Sequence, residues 1–323
     1  MLKILFFILL ITSLEAKYIN CKFANENYSD ICKKALKDGV SYDYANRFLL
    51  SYFKTKKYDE KSWKLLQPRA IKIHRANEKR ANNTLIKYIP QLTKHLKKYK
   101  DVYDYAEKKF GVNREIVAAI LLKETRLGVI KPRHDAFVVF NTIVVRTKPQ
   151  TSRQKWLLKM GKTNMASIIK HCYKASIEPK DCNLPSSYAG AIGIPQFMPN
   201  NFIYTEGYKT KSADLTKMED AIVSASKFLN KRAKFTKLIE WDKIPDMASI
   251  ESKWYDFAFR YKNASFSYQN KRGKKFYECF SCDKEELQYL SGYIKKIMKY
   301  NNSSNYAIGV MRLAYDAHYK KDK

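Results

Sequence analysis

The segment "LLKETRLG", Leu121 to Gly128, holds a single acid in an unusual setting. On a helix, Glu124 falls four residues after Ile120 and eight after Ile116, on the apolar stripe rather than the polar face. Its helical neighbours at three and four residues are Ile120, Leu121, Leu127 and Gly128, none of which can neutralise it through an i,i+4 ion pair. A carboxyl so placed is expected to hold its proton near neutral pH, as a general acid must. The second informative stretch is "SSYAGAIGIPQFMPNNF", Ser186 to Phe202. Its small residues Ala189, Gly190, Ala191 and Gly193 let backbone come close to a ligand or another helix. Pro195 and Pro199 break regular structure, so Gln196, Phe197 and Met198 are presented on a stiff, irregular segment. The third is a Tyr- and Asn-rich turn, "YNNSSNYA", Tyr300 to Ala307. Uncharged polar groups around one acid of raised pKa suit a neutral polyhydroxylated substrate such as a sugar.

Other chemistries find no residues to carry them. His74, His95, His134, His171 and His318 include no pair at metal-ligand spacing and no H-E-x-x-H. There is no G-x-S-x-G elbow, P-loop or dinucleotide fingerprint, and neither a metal nor an organic cofactor is expected. Two-carboxylate glycosidases need a second acid about 5 to 9.5 Å from the first. Asp135 is the one acidic candidate in the motif region before the second stretch.

The elements that must position these residues read as helices. Gly111 closes one helix, and Asn113 can cap the next, with Glu115 in its first turn. That helix is expected to end near Gly128, which puts Glu124 in its last turn, where the partial negative charge of the helix terminus further disfavours ionisation. "AFVVFNTIVV" reads equally as a strand or a short buried helix. Thr147 to Lys180 is basic and helical. "MEDAIVSASKFLNKR" is a helix with Ala221, Ser224, Ala225 and Phe228 on one close-packing stripe. "KEELQYLSGYIKKIMKY" is another, and Ser304 or Asn305 caps a final helix. Upstream, Lys17 to about Lys100 is a helical region in which Pro90 kinks or ends the pattern "NTLIKYIPQLTKHLKKY". Residues from about Ala233 to Lys275 show no clear period and read as an irregular insertion. No repeat or heptad pattern is present.

Composition sets the outer limits. A chain of 323 residues that is 45% hydrophobic can bury a sizeable core. Lys and Arg outnumber Asp and Glu by 62 to 31, a net charge of +31. Such a balance favours a polyanionic partner (nucleic acid, acidic lipid, or a wall whose peptides carry carboxylates) or reflects a biased base composition and a solvated surface. Residues 1–16, "MLKILFFILLITSLEA", combine Lys3, a short apolar run and Ala16 in the manner of a secretory signal. That run is too short for a spanning helix, and no long apolar stretch follows it. An exported chain with six cysteines in three close pairs is expected to carry disulfides, with Cys21–Cys32, Cys172–Cys182 and Cys279–Cys282 the pairing that proximity suggests.

Taken in order, "ETRLG", "SYAGAIGIPQFMP" and "YNNSSNYA" resemble the lytic murein transglycosylases, most closely their membrane-bound-type B branch. That resemblance implies a mainly α, lysozyme-like catalytic domain over residues 101–323, with the 17–100 helical region packed on it and a small insertion near 233–275. It implies cleavage of the bond between N-acetylmuramic acid and N-acetylglucosamine in peptidoglycan, without water as nucleophile, in the periplasm. Glu124 would be the catalytic acid and then the base. Ser187 would hydrogen-bond near it, Gln196 would hold sugar N-acetyl and hydroxyl groups, and Met198 would pack on the sugar face. Tyr300 would steady the Glu124 carboxyl or the reacting sugar, and Asn301 the turn or the substrate. The Asp-rich calcium loop that often follows the Q-x-M-P segment in this branch is replaced by "NNFIYTEGYKTKSADLTKMED", so no calcium site is expected. A lysozyme-like hydrolase and a wall-binding scaffold without turnover remain alternatives. A nucleic-acid binder has only charge in its favour and no recognition motif. Protein partners are not legible.

Overall fold

The computed structural model describes residues 21–55, 58–248 and 284–320. The predicted signal segment, the pair Cys279–Cys282 and most of the 233–275 insertion lie outside these residues. Along the chain the helices are α1 (Glu26–Lys37), α2 (Tyr42–Thr55), α3 (Glu60–Leu65), α4 (Pro68–Leu85), α5 (Ile89–Lys98), α6 (Lys100–Phe110) and α7 (Arg114–Thr125). Then come β1 (His134–Asp135), α8 (Ala136–Arg146), α9 (Ser152–Lys174), β2 (Pro185–Ser186), α10 (Met218–Ala233), α11 (Lys284–Ile297) and α12 (Ser304–Tyr319). The predominance of helix agrees with the sequence expectation. None of the described helices is long and apolar enough to cross a membrane.

The chain divides into two compact units, each made of separated segments: Met1–Ala70 with Pro132–Ile203, and Ile71–Lys131 with Tyr204–Lys323. The boundary near residue 100 suggested by helical spacing falls between α5 and α6 of the second unit. In the first unit α1, α2, α8 and α9 enclose a core in which Phe48, Phe137 and Phe140 are fully buried. "AFVVFNTIVV" resolves as the buried helix α8. Asp135 caps it, accepting from the amides of Phe137 and Val138 at 2.9 and 3.1 Å, which settles that acid's role locally as structural. The helix α9 starts at a capping box of Thr151 and Gln154, and Gly161 lets α8 approach so closely that a Cβ there would lie 3.0 Å from Ile143 and Val144 methyls. The disulfides Cys21–Cys32 and Cys172–Cys182 form as expected. The first ties the approach to α1 down, and the second ties the end of α9 to the segment leading into β2.

The second unit is built around α7. All residues from Glu115 to Leu122 are buried, so this helix has no wet face, and a helix apolar all round belongs at the centre of its bundle. It packs against α5, α6, α10 and α12. Gly111 ends α6 in the left-handed conformation at φ 65°, and a Cβ there would meet the Thr236 carbonyl oxygen at 2.8 Å. Asn113 does not cap α7 with its side chain. Its Oδ1 accepts instead from the Ile239 amide at 2.7 Å, a tertiary demand that sequence spacing does not reveal. The pattern around Pro90 breaks, as expected: α4 ends at Leu85, a 3₁₀ turn spans Ile86–Tyr88, and Pro90 sits in the first turn of the new helix α5, where its missing N–H costs nothing. The stripe Ala221, Ser224, Ala225 and Phe228 of α10 is buried as expected.

Phe137 lies 4.7 Å from Phe48, ring centroid to centroid, in the first core. Replacing it with Ala is expected to cost about 3–5 kcal/mol, read as a lowered urea midpoint with the slope of the transition unchanged.

Candidate active site

In the second unit Glu124 occupies the last turn of α7, as the sequence suggests, but the helix stops at Thr125 rather than near Gly128. Arg126, Leu127 and Gly128 follow in succession with φ of 50°, 56° and 83°. Two non-glycine residues in the left-handed region cost roughly 1–2 kcal/mol each, so the turn must be held from outside. Thr125 holds it: its buried Oγ1 accepts from the Gly128 amide at 3.1 Å, and its carbonyl accepts from the Ile130 amide at 2.9 Å. The turn therefore fixes where the carboxyl of Glu124 projects.

The carboxyl is half-buried, and desolvation by the surrounding protein raises its pKa from 4.5 to about 7. Three other effects act on it. A hydrogen bond from Tyr306 and the ammonium of Lys123 both favour the charged form, whereas the carboxylate of Glu78 disfavours it. The Tyr306 hydroxyl donates to Glu124 Oε1 at 2.6 Å. The phenol bonded to the acid is thus Tyr306, in the first turn of α12, and not Tyr300. Tyr300 is half-buried and stacks edge-on against Phe228 at 5.1 Å; desolvation, reinforced by the charge of Glu124, keeps its hydroxyl well above the usual phenol range. Asn301 is exposed, and its carbonyl accepts from the Ser303 amide at 2.7 Å, so its backbone helps form the turn. Ser303, not Ser304 or Asn305, caps α12, accepting from the Tyr306 amide at 3.2 Å. Tyr306 closes the "YNNSSNYA" stretch, and its identity was available there. What the sequence lacked was the α7–α12 packing that selects the second tyrosine over the first.

In the first unit Ser187, Gln196 and Met198 share one segment, which begins at β2. That strand pairs antiparallel with β1, His134 opposite Ser186 and Asp135 opposite Pro185. Single bridges then link Ser186 to Ile192 and Ile192 to Phe197. The Ser187 hydroxyl accepts from the Ala191 amide at 3.2 Å and closes the tight turn between them. Gly190, at φ 82°, lies against Phe140 so closely that a Cβ would fall 2.3 Å from its ring. Gln196 holds φ 53° and donates from Nε2 to the Gly193 carbonyl at 2.8 Å. Phe197 is buried, and Met198 is half-buried against the first core. The stiffness expected of this stretch comes from bridges, one glycine and three side-chain anchors rather than from the prolines alone.

The loop read as lacking a calcium ladder is organised by other means. Glu206 is bridged by Lys109 at 2.5 Å and Lys227 at 3.2 Å. The buried Asp220 accepts from the amides of Tyr208 and Asp214, both at 2.7 Å. Among the described residues no group of three or more His, Cys, Asp or Glu side chains is placed to hold a metal ion.

Comparison with known proteins extends over most of the chain. Residues 24–315 match the family model described as the transglycosylase SLT domain. The fold matches the Escherichia coli lytic transglycosylase Slt35 in complex with bulgecin A, at 16% identity and TM-score 0.61, over 93% of this chain and 95% of that one. Soluble lytic transglycosylase SltB1 from Pseudomonas aeruginosa is similar at 19% identity and TM-score 0.61, over 92% and 100% of the respective chains. SltB3 from the same organism, in complex with NAG-anhNAM-pentapeptide, matches at 15% identity and TM-score 0.59, over 89% and 77%. No curated protein matches the sequence.

Because the folded-state pKa of Glu124 is raised, its protonated form contributes stability that is complete below the unfolded value of 4.5 and is lost as pH rises through about 7. Glu124→Gln cannot ionise. Its melting temperature is expected to match wild type near pH 4.5 and exceed it above pH 7, by a margin worth at most about 3 kcal/mol. Parallel thermal melts across that range check the sign.

Proposed function

Since the chain belongs to the transglycosylase SLT-domain family, it is a lytic transglycosylase, and we propose that Glu124 alone supplies both proton transfers by which it cuts peptidoglycan glycan strands. The observation that carries this reading is a half-buried carboxyl whose pKa is raised to about 7, with a single phenol bonded to one of its oxygens. Tyr306 occupies Oε1, so Oε2 carries the proton that is transferred. In the first step that proton passes to the glycosidic oxygen between N-acetylmuramic acid and N-acetylglucosamine, and the C1–O bond breaks. In the second, the carboxylate takes the proton of the muramyl 6-hydroxyl, whose oxygen bonds to C1. The product is a 1,6-anhydro ring, the glutamic acid is restored, and no water is consumed. A residue that must give and then regain a proton works best when its pKa lies near the working pH.

The remaining roles follow the groups each residue has to offer. Gln196 commits Nε2 to Gly193, so a sugar N–H or hydroxyl meets Oε1. Met198 offers a thioether edge to a sugar face while its stem packs on the core. Ser187 holds the turn that carries them. Tyr300 faces the charge of Glu124, and Asn301 offers an exposed amide to the substrate. The basic surface favours an anionic sacculus, and the signal-like residues 1–16 favour the periplasm. A hydrolase would need a second carboxylate to activate water. Glu78, the other acid felt at Glu124, instead accepts from the Ser303 hydroxyl at 2.6 Å.

Digestion of purified sacculi followed by mass spectrometry tests the reaction. Anhydro-muropeptides are expected from wild type and none from Glu124→Gln, with sacculus binding retained by both. Reducing ends alone would make the protein a muramidase, and equal inertness of the two would make it a scaffold. Activity is expected to fall as pH rises through the pKa of Glu124. In Tyr306→Phe the carboxylate loses its donor, so this alkaline limb moves to higher pH and kcat drops by about tenfold.

A further inference from the structure

The Tyr306–Glu124 hydrogen bond joins two helices, and each of its partners is preceded in sequence by a residue held by one buried amide. Asn82, in the last turn of α4, is 2% exposed. Its Nδ2 donates to the carbonyl of Asn305, the residue before Tyr306, at 2.8 Å. Its Oδ1 accepts from Nζ of Lys123, the residue before Glu124. The same ammonium lies 4.9 Å from the centroid of the Tyr306 ring. A third contact fixes the amide from below: a Cβ at Gly309, in the second turn of α12, would lie 2.2–2.7 Å from the Asn82 amide atoms. Gly309 has an ordinary helical backbone, so that close approach, and not φ, is what its missing side chain serves. One turn earlier on α4, Glu78 accepts from Ser303, the cap of the same helix. Two side chains of α4 thus grip the first turn of α12, and one of them also grips the end of α7.

We propose that Asn82 is a positioning residue of the active site, a clamp between α7 and α12 that sets the Tyr306 hydroxyl on Glu124 Oε1. The proposal rests on the reading of Glu124 as the acid of the reaction. Asn82 touches neither the carboxyl nor, on this account, the substrate. It fixes the Asn305 carbonyl and hence the start of the turn that carries Tyr306, and it holds the Lys123 ammonium over the Tyr306 ring. A buried amide of this kind is costly unless both of its ends are satisfied, and here both are satisfied by groups that flank the hydrogen-bonded pair.

The test uses Asn82→Ala, Gly309→Ala and the double variant in the full chain. Asn82→Ala removes the clamp, and Gly309→Ala displaces it from the opposite side. Each is expected to lower kcat on solubilised glycan strands by about tenfold with KM within about twofold, and to move the alkaline limb to higher pH as Tyr306 leaves the carboxylate. The double variant is expected to be no worse than the more damaged single one, because the space vacated by Asn82 accepts the new methyl. Lowered thermal stability with wild-type kcat and an unmoved limb would reduce Asn82 to a structural residue and overturn the proposal, as would multiplicative losses in the double variant. Titration of the Glu124 carboxyl carbon by NMR, assigned against Glu124→Gln, reads the clamp without turnover. A pKa higher in Asn82→Ala than in wild type supports it even if no anhydro product is ever formed, and an unchanged pKa overturns it even if the enzyme is active.

Discussion

The structure turns on a balance at one carboxyl group. Removing Glu124 from water favours its neutral form by enough to raise the pKa to about 7, and the bond from Tyr306 pulls in the other direction. A hydrogen bond to a charged acceptor is worth about 1.5–3 kcal/mol, less than the desolvation it opposes, since the pKa stays raised with the bond in place. Without burial the group would be a carboxylate with nothing to donate. Without the phenol it would remain an acid and be slow to serve as a base. The all-apolar α7 supplies the first condition by lying buried along nearly its whole length, and the first turn of α12 supplies the second.

Much of this was legible in the sequence where local rules act alone. Glu124 stood out because its neighbours three and four residues away are apolar or glycine, and the same apolar run that flagged it is the run that α7 buries. Gly111 as a helix stop and the small-residue stripe of α10 follow equally from local geometry. What sequence reading missed depends on partners distant along the chain. Asn113 looks like a cap until Ile239 arrives to claim its side chain. Tyr300 and Tyr306 are equivalent as residue types, and only helix packing assigns the bond to the second. Asn82 lies in a polar stretch, "EKRANNTL", that carries no chemical signature, since its meaning is supplied by Asn305 and Lys123, far ahead in the chain. The tail of α7 illustrates a third kind of limit. Gly128 reads as the helix stop, but the chain enters the left-handed region two residues earlier, at Arg126, because Thr125 can hold the turn.

Both segments assigned a role in the chemistry store backbone strain and are locked against relaxing it. Beyond Glu124, two non-glycine residues sit at positive φ; in the other segment Gln196 does the same at φ 53°. Such conformations persist only when their surroundings over-determine them. Thr125 closes the first by a side-chain bond, and Gln196 closes the second by bonding back to Gly193. Gly190 against Phe140 adds a steric lock that no other residue could share. For the ring closure proposed above, rigid placement is useful because the attack needs its reacting atoms near contact distance, and small misplacements of the acid are costly.

On the proposed reading of Glu124 as both acid and base, the charges around it let one residue act in both directions. A cation bonded directly to the carboxyl would hold it ionised and abolish the acid; a second carboxylate at bonding distance would hold it protonated and abolish the base. The fold admits one of each and diverts both. Lys123 spends its ammonium on Asn82 and the Tyr306 ring, and Glu78 spends its carboxylate on Ser303. Their influence reaches Glu124 only through space, with opposite signs. Among the described residues, what remains bonded to the carboxyl is a neutral hydroxyl, which on the proposed mechanism can stay on Oε1 while the proton leaves Oε2 and returns.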